Sequence, residues 1–269
     1  MNYLVNAIKF SIKNWMLIIP IFALMALASL IGGISSAFGL FGSITSFIQT
    51  SNYSDLGVLF KLISSLFTSI AVGGGIIAFI APFIYQPATY GLVNKSLETG
   101  NASINDIGAA ISTNFVKYIK YFVGTIVALL ACGILTFILL LLCVLIMKAS
   151  VVIGILLFLL IALVIFTLYN ALLNIWFAAM VIDEIDVVTA VKKAIEVIKG
   201  SLGTVFGITL LVIIAAIIAG AIIGFIVGWI PLIRKIIAAV VPAVKAFIMV
   251  VFSMMLYREK TGRVNTSQL

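Results

Sequence analysis

From Ala149 to Ile182 the chain carries no charged side chain. The same holds from Trp15 to Ser54, from Tyr121 to Met147 and from Ser201 to Ile233. An α-helix of about 20 apolar residues crosses the hydrocarbon core of a bilayer, and each of these runs is long enough. In lipid every backbone N–H and C=O must find a partner within the protein, so a spanning segment of this length is a helix. A membrane barrel would alternate in segments of about 10 residues, and no such alternation is present. Composition removes the soluble alternative. The 269 residues are 64% hydrophobic and 9% charged, whereas soluble domains carry about 25% charged residues.

The expected fold is therefore an all-α membrane protein with six transmembrane helices. They run over about Trp15–Leu40 (bent at Pro20), Leu62–Tyr85 (Pro82 near its end), Tyr121–Met147, Val151–Ile182, Thr204–Ile230 and Ile236–Tyr257. With the N-terminus inside, the cytoplasmic set of basic residues is Lys9, Lys13, Lys95, Lys117, Lys120, Lys192, Lys193, Lys199, Arg258, Lys260 and Arg263. The outer set is Lys61, Lys148, Arg234 and Lys235. Basic residues concentrate on the cytoplasmic side, so both termini are expected there, in the cell membrane. The formal charge of +8 then reads as orientation and contact with anionic lipid headgroups, not as nucleic-acid binding.

Three polar segments interrupt the apolar runs. In "DVVTAVKKAIEVIKGSLG", Val187, Val188, Val191, Ala194, Ile195 and Ile198 share one helical face. Thr189, Lys192, Lys193, Glu196 and Lys199 share the other, with Asp186 at the start and Gly200 at the end. That periodicity defines an amphipathic helix able to lie in the headgroup plane. "NYLVNAIKFSIKNW" repeats the pattern, with Leu4, Ile8, Ile12 and Trp15 against Asn6, Lys9 and Lys13. So does "SINDIGAAISTNFVKYIKYF", with Ile104, Ile107, Ile111, Tyr118 and Phe122 against Lys117 and Lys120. Its Ser103 and Asp106 match a capping box. The chain reads as a single membrane domain, 1–269. It holds three cytoplasmic-side interfacial helices, each followed by a two-span hairpin, in units of about 1–100, 101–182 and 183–269, with a flexible tail over 258–269.

The junction "PATYGLVNKSLETGNASINDI", with Pro87, Gly91, Gly100 and Asp106, resembles that after the second span in a group of prokaryotic six-helix membrane proteins. The group includes the membrane domain fused to some glycerophosphoryl diester phosphodiesterases and the YciC-like proteins. The block "VTAVKKAIEVIKGSLGTVFGITLL" is similar to that group's segment before its fifth span. The resemblance implies a membrane-embedded protein tied to envelope lipids or transport. It carries over no catalytic residue, because the phosphodiesterase chemistry sits in a separate soluble domain, and no such domain is expected after Tyr257.

Chemistry-bearing residues are few. The chain has no histidine, and no nucleophile, base and metal set is visible, so neither enzymatic activity nor a cofactor or metal is expected. Cys132 and Cys143 lie in one apolar run and read as reduced packing residues. Lys245 is placed within the sixth span. It lies ~18 Å from the end at Tyr257, where a charge costs about 3 kcal/mol. With Asn170 and Asn174, one turn apart on the fourth span, it forms a candidate interior polar site. Gly73, Gly74, Gly75, Pro82 and Pro87 mark a kinked or tightly packed second span, and Tyr85, Gln86 and Tyr90 read as interfacial anchors. The acidic group Asp183, Glu184 and Asp186 reads as complementing the dipole of the following helix. The expected function is a transport-like or lipid-handling role whose partners are anionic membrane lipids. The alternative is an accessory subunit partnering a transporter or envelope enzyme.

Overall fold

The computed structural model describes residues 3–32, 75–147, 150–227 and 236–263. Among these residues the chain is all-helical and contains no strand. The helices are α1 (Tyr3–Lys13), α2 (Ile19–Gly32), α3 (Gly75–Thr99), α4 (Ile107–Met147), α5 (Val151–Asp183), α6 (Val187–Lys199), α7 (Leu202–Val227) and α8 (Val240–Lys260). Short 3₁₀ turns at Trp15–Ile18 and Ile104–Asp106 lead into α2 and α4. Four stretches are long and apolar enough to cross a membrane: Ile104–Cys143, Val152–Asp183, Leu202–Ile226 and Ile236–Lys260. The bent pair Tyr3–Lys13 and Trp15–Leu30 makes a fifth if taken as one span.

Several helix faces are apolar and exposed. Val127, Leu130 and Ile134 on α4, Leu156, Leu159 and Leu160 on α5, and Ile217, Phe225 and Ile226 on α7 are each more than half exposed. Soluble monomers expose contiguous apolar patches of only a few hundred Å². Whole helix faces of this kind are compatible with a multi-pass membrane protein.

Helix α8 is the hub. It packs against α1, α2, α3, α5, α6 and α7, and its Ala243, Phe247, Val251, Phe252 and Met254 are fully or almost fully buried. A second packing centre is aromatic. Phe177 of α5 sits 4.7 Å from Tyr90 of α3 and 5.3 Å from Tyr118 of α4, both edge-on. The Tyr121 ring lies 5.0 Å from Phe177. Edge-to-face contacts add about 0.5–1.5 kcal/mol each beyond area burial. Helices α3 and α4 approach closely at Gly91, where a Cβ would come within 2.7 Å of both the Ala110 Cβ and the Asn114 Nδ2.

Several expectations change. The first bend lies at Asn14, not at Pro20. Helix α1 and the segment from Trp15 meet at 91°, and the Asn14 Nδ2 donates to the Phe10 carbonyl at 3.0 Å. Pro20 falls in the first turn of α2, where a missing N–H costs nothing. Neither Pro82 nor Pro87 breaks α3, which runs through both to Thr99. Inside a helical membrane protein, neighbouring helices stabilise such positions. Gly75 opens α3, while Gly73 and Gly74 lie outside the described residues.

The segment expected as a separate amphipathic helix before the third span is continuous with it. Helix α4 has 41 residues, about 60 Å at the α-helical rise, roughly twice the hydrocarbon thickness. Its capping box does form: the Ser103 N–H donates to Asp106 Oδ2 at 2.9 Å, and the Asn105 N–H donates to the Ser103 hydroxyl at 3.2 Å. Of the tail over 258–269, α8 continues to Lys260 and Arg263 is ion-paired, while residues 264–269 lie outside the described residues. The outer basic set, Lys61, Lys148, Arg234 and Lys235, lies outside the described residues.

Candidate functional site

The charged side chains converge where α3, α5 and α8 end and α4 and α6 begin. Asp183, the last residue of α5, is the anchor, its side chain only 3% exposed. The Tyr257 hydroxyl of α8 donates to its Oδ2 at 2.6 Å, and Lys193 of α6 donates to the same oxygen at 2.7 Å. Arg263, just past α8, lies 3.0 Å from Oδ1 and donates through its other nitrogen to the Ile182 carbonyl at 3.0 Å. A nearly buried carboxylate requires this much compensation. One side chain thus ties α5, α6, α8 and the segment after α8. The expected role, complementing the dipole of α6, falls to Asp186 instead. Its carboxylate accepts from the Thr189 hydroxyl at 2.6 Å and from the Val188 and Thr189 N–H groups at 3.1 and 3.2 Å. The Thr189 hydroxyl, then these backbone bonds, hold the carboxyl below its usual range.

The turn between α5 and α6 is tight. Glu184 has φ 56°, left-handed for a residue with a side chain, which most residues avoid. Its exposed carboxylate pairs with Lys117 of α4 at 3.1 Å.

Beside this turn lies a cleft of about 200 Å³ between α3, the start of α4 and the end of α5. It is lined by Lys95, Glu98, Asp106, Asn114, Lys117 and Glu184, over a floor that includes Gly91, Ala110 and Val181. Lys95 pairs with Asp106 at 2.7 Å. Arg258 reaches from α8 to Glu98 and to the Asn94 side chain, each at 2.6 Å. At the same end of α8 the Tyr3 hydroxyl donates to Glu259 at 2.6 Å, fastening α1.

The residues singled out from sequence divide into three sets. Among the basic group, Lys117 and Lys193 are consumed in the ion pairs above. Lys9, Lys13, Lys120, Lys192 and Lys199 are exposed and form no ion pair among the described residues. In the interior group, Asn174 is engaged by α3: the Tyr90 hydroxyl lies 3.1 Å from both its carbonyl and its Oδ1. The Asn174 and Asn170 side-chain amides each donate to the carbonyl four residues back in their own helix. Lys245 is half-buried and has no hydrogen-bond or ion-pair partner among the described residues. No hydrogen bond joins it to either asparagine. Third, Tyr90 is a core residue, 1% exposed, rather than an interfacial anchor, and Tyr85 is buried with it. Asn114 and Trp176 escaped notice in the sequence, because a lone amide and a lone indole within apolar runs carry no local pattern.

Compared with known proteins, the chain matches no family model, no curated protein and no solved structure.

Proposed function

We propose that this chain is a lipid-handling integral membrane protein whose working surface is the polar end of the bundle, set at headgroup level. One observation carries this reading: exposed apolar and basic edges lie side by side on α1 and α6. On α1, Ile8 and Ile12 are exposed together with Lys9 and Lys13, and Trp15 is exposed just past its end. On α6, at about 100° per residue, three arcs follow one another. Ala190, Ala194, Val197 and Ile198 pack on the protein, Val188 and Ile195 are exposed, and Lys192 and Lys199 follow on the solvent side. Such a helix inserts its apolar edge among acyl chains and leaves its lysines at the phosphates.

The proposed topology has six spans in three helix-plus-hairpin units, with this end and both termini in the cytoplasm. The contacts among Lys95, Lys117, Lys193, Arg258 and Arg263 and their partners support it, since all belong to the set assigned to one side. The likeness to the phosphodiesterase-associated six-helix group belongs to the same proposal. Single cysteines at positions 61 and 148 should react with an impermeant maleimide on intact cells, and a cysteine at 199 only after lysis. Labelling of 199 from outside would overturn the orientation.

Near the membrane surface each Lys contributes about 1 kcal/mol of attraction to anionic lipid. The doubly reversed variant Lys192→Glu/Lys199→Glu should therefore lose about tenfold or more of the protein's preference for phosphatidylglycerol over phosphatidylcholine. Lipids retained from mixed vesicles, quantified by mass spectrometry, test this, and an unchanged preference would sink the headgroup reading. A transport-like reading keeps one supporting observation, the unpartnered Lys245 on the central helix.

A further inference from the structure

Helices α1 and α6 are built to one plan. On α6 the protein-packed arc is followed by Val188 and Ile195, and then by Lys192 and Lys199. At about 100° per residue, α1 repeats this order in the same rotational sense. Tyr3, Ala7 and Phe10 pack on the core. Val5, Ile8 and Ile12 follow as an exposed apolar edge, and Lys9 and Lys13 come next. A helix lying in the headgroup plane, with protein on one side and acyl chains beneath, needs its side chains in that order. The direction of α1 agrees, since it meets the apolar segment from Trp15 at 91°. Trp15 and Met16 are exposed at the bend, and an indole suits the interface.

Both helices are fastened at the same end of α8. The Tyr3 hydroxyl of α1 donates to Glu259 at 2.6 Å. Lys193 of α6 donates at 2.7 Å to the Asp183 oxygen that also accepts from Tyr257. The Trp176 indole holds the first turn of α6 through the Val187 carbonyl at 2.9 Å. Neither helix can lift from the bilayer without breaking bonds to the spanning helices, so their apolar edges are fixed parts of the body. Such an edge, inserted about 5–10 Å deep, widens the leaflet it enters. A leaflet accommodates this most readily where it is already splayed, on the convex side of a bent bilayer. We infer that α1 and α6 form a wedge that directs the protein to strongly curved membrane, with its polar end on the convex side. The four exposed lysines set an anionic surface as the partner. Glu196, the one acid on either helix, lies beyond the lysines on the water-facing side. This inference rests on the placement of the polar end at headgroup level and adds a membrane shape to it.

The test places the full chain, with Lys260→Cys at an exposed position of this end, in giant vesicles of phosphatidylglycerol and phosphatidylcholine. An impermeant fluorescent maleimide added outside marks the copies whose polar end faces out. Labelling before reconstitution, followed by an impermeant quencher, marks those facing in. Narrow tubules are pulled, and the protein-to-lipid fluorescence ratio on the tubule is divided by that on the flat membrane. Outward copies should be enriched about threefold or more, the equivalent of burying the remaining half of one apolar side chain. Inward copies should be depleted to a similar degree. Ile12→Ser/Val188→Ser/Ile195→Ser removes the apolar edges at exposed positions and should bring both values close to one. Tyr3→Phe removes the bond to Glu259 and keeps the ring against Phe252; it should lower the enrichment partway. Equal values for the two orientations, enrichment of inward copies, or an enrichment unchanged in both variants would overturn the wedge. If the wedge falls while Lys192→Glu/Lys199→Glu still alters anionic-lipid retention, the headgroup placement survives. If that retention is also unaltered, both fall.

Discussion

Asp183→Asn is expected to destabilise the protein by roughly 2 kcal/mol and to release the segment after α8. Breaking a fully buried ion pair by removing one partner costs about 3–5 kcal/mol. The figure here is lower because the Lys193 and Arg263 side chains are 40% and 52% exposed and recover hydration. The amide keeps the shape and one acceptor for the Tyr257 hydroxyl, but it loses the charge that faces both cations. Two measurements check the expectation. Thermal unfolding in detergent should shift downward, and amide exchange at Thr261 and Arg263, whose N–H groups bond back to Tyr257 and Arg258, should quicken selectively. Arg263→Gln should give the second effect with much less of the first. Exchange that speeds uniformly across α8 would mean that Asp183 supports the whole helix rather than fastening its end.

Asp183 and Asp186 differ in how far along the chain their partners lie. Asp186 was legible because a cap acts on residues two and three positions along. The partners of Asp183 come from three separate places, Lys193, Tyr257 and Arg263, and no spacing rule joins them. Helix existence was legible from the long uncharged runs, because lipid demands internal backbone hydrogen bonding. Which face of each helix looks inward was not. Leu156 and Leu160 face out while Trp176 and Phe177 of the same helix are buried, and all four are apolar. Lipid removes the polar-outside contrast that marks the inner face of a soluble helix. Helix α6 shows both situations. Its lysine edge was evident, but its single expected apolar face divides into a protein-packed arc and an exposed one. Proline misled for a related reason: the tertiary contacts around α3 override its local preference, and the helix runs through Pro82 and Pro87.

Two glycines of α4 should separate packing from composition. At Gly124 an added Cβ would lie 2.8 Å from Trp176 Cη2, 2.9 Å from its Cζ2 and 2.9 Å from a Val187 methyl. The indole cannot swing aside cheaply. It is 3% exposed, and its Nε1 donates to the Val187 carbonyl at 2.9 Å, joining α5 to the first turn of α6. At Gly133, nine residues along by numbering, nothing lies within 4 Å and the residue is exposed. Gly124→Leu is therefore expected to cost about 3 kcal/mol or more, combining overpacking with loss of the indole hydrogen bond. Gly133→Leu should cost almost nothing, because it adds one more apolar side chain facing lipid. Unfolding in detergent measures the difference, and the emission of Trp176 should shift in the first variant alone. Equal tolerance at the two positions would mean that α4, α5 and α6 do not meet at Gly124. The turn that sets Glu184 against Lys117 would then lose its support, and with it the wall of the cleft.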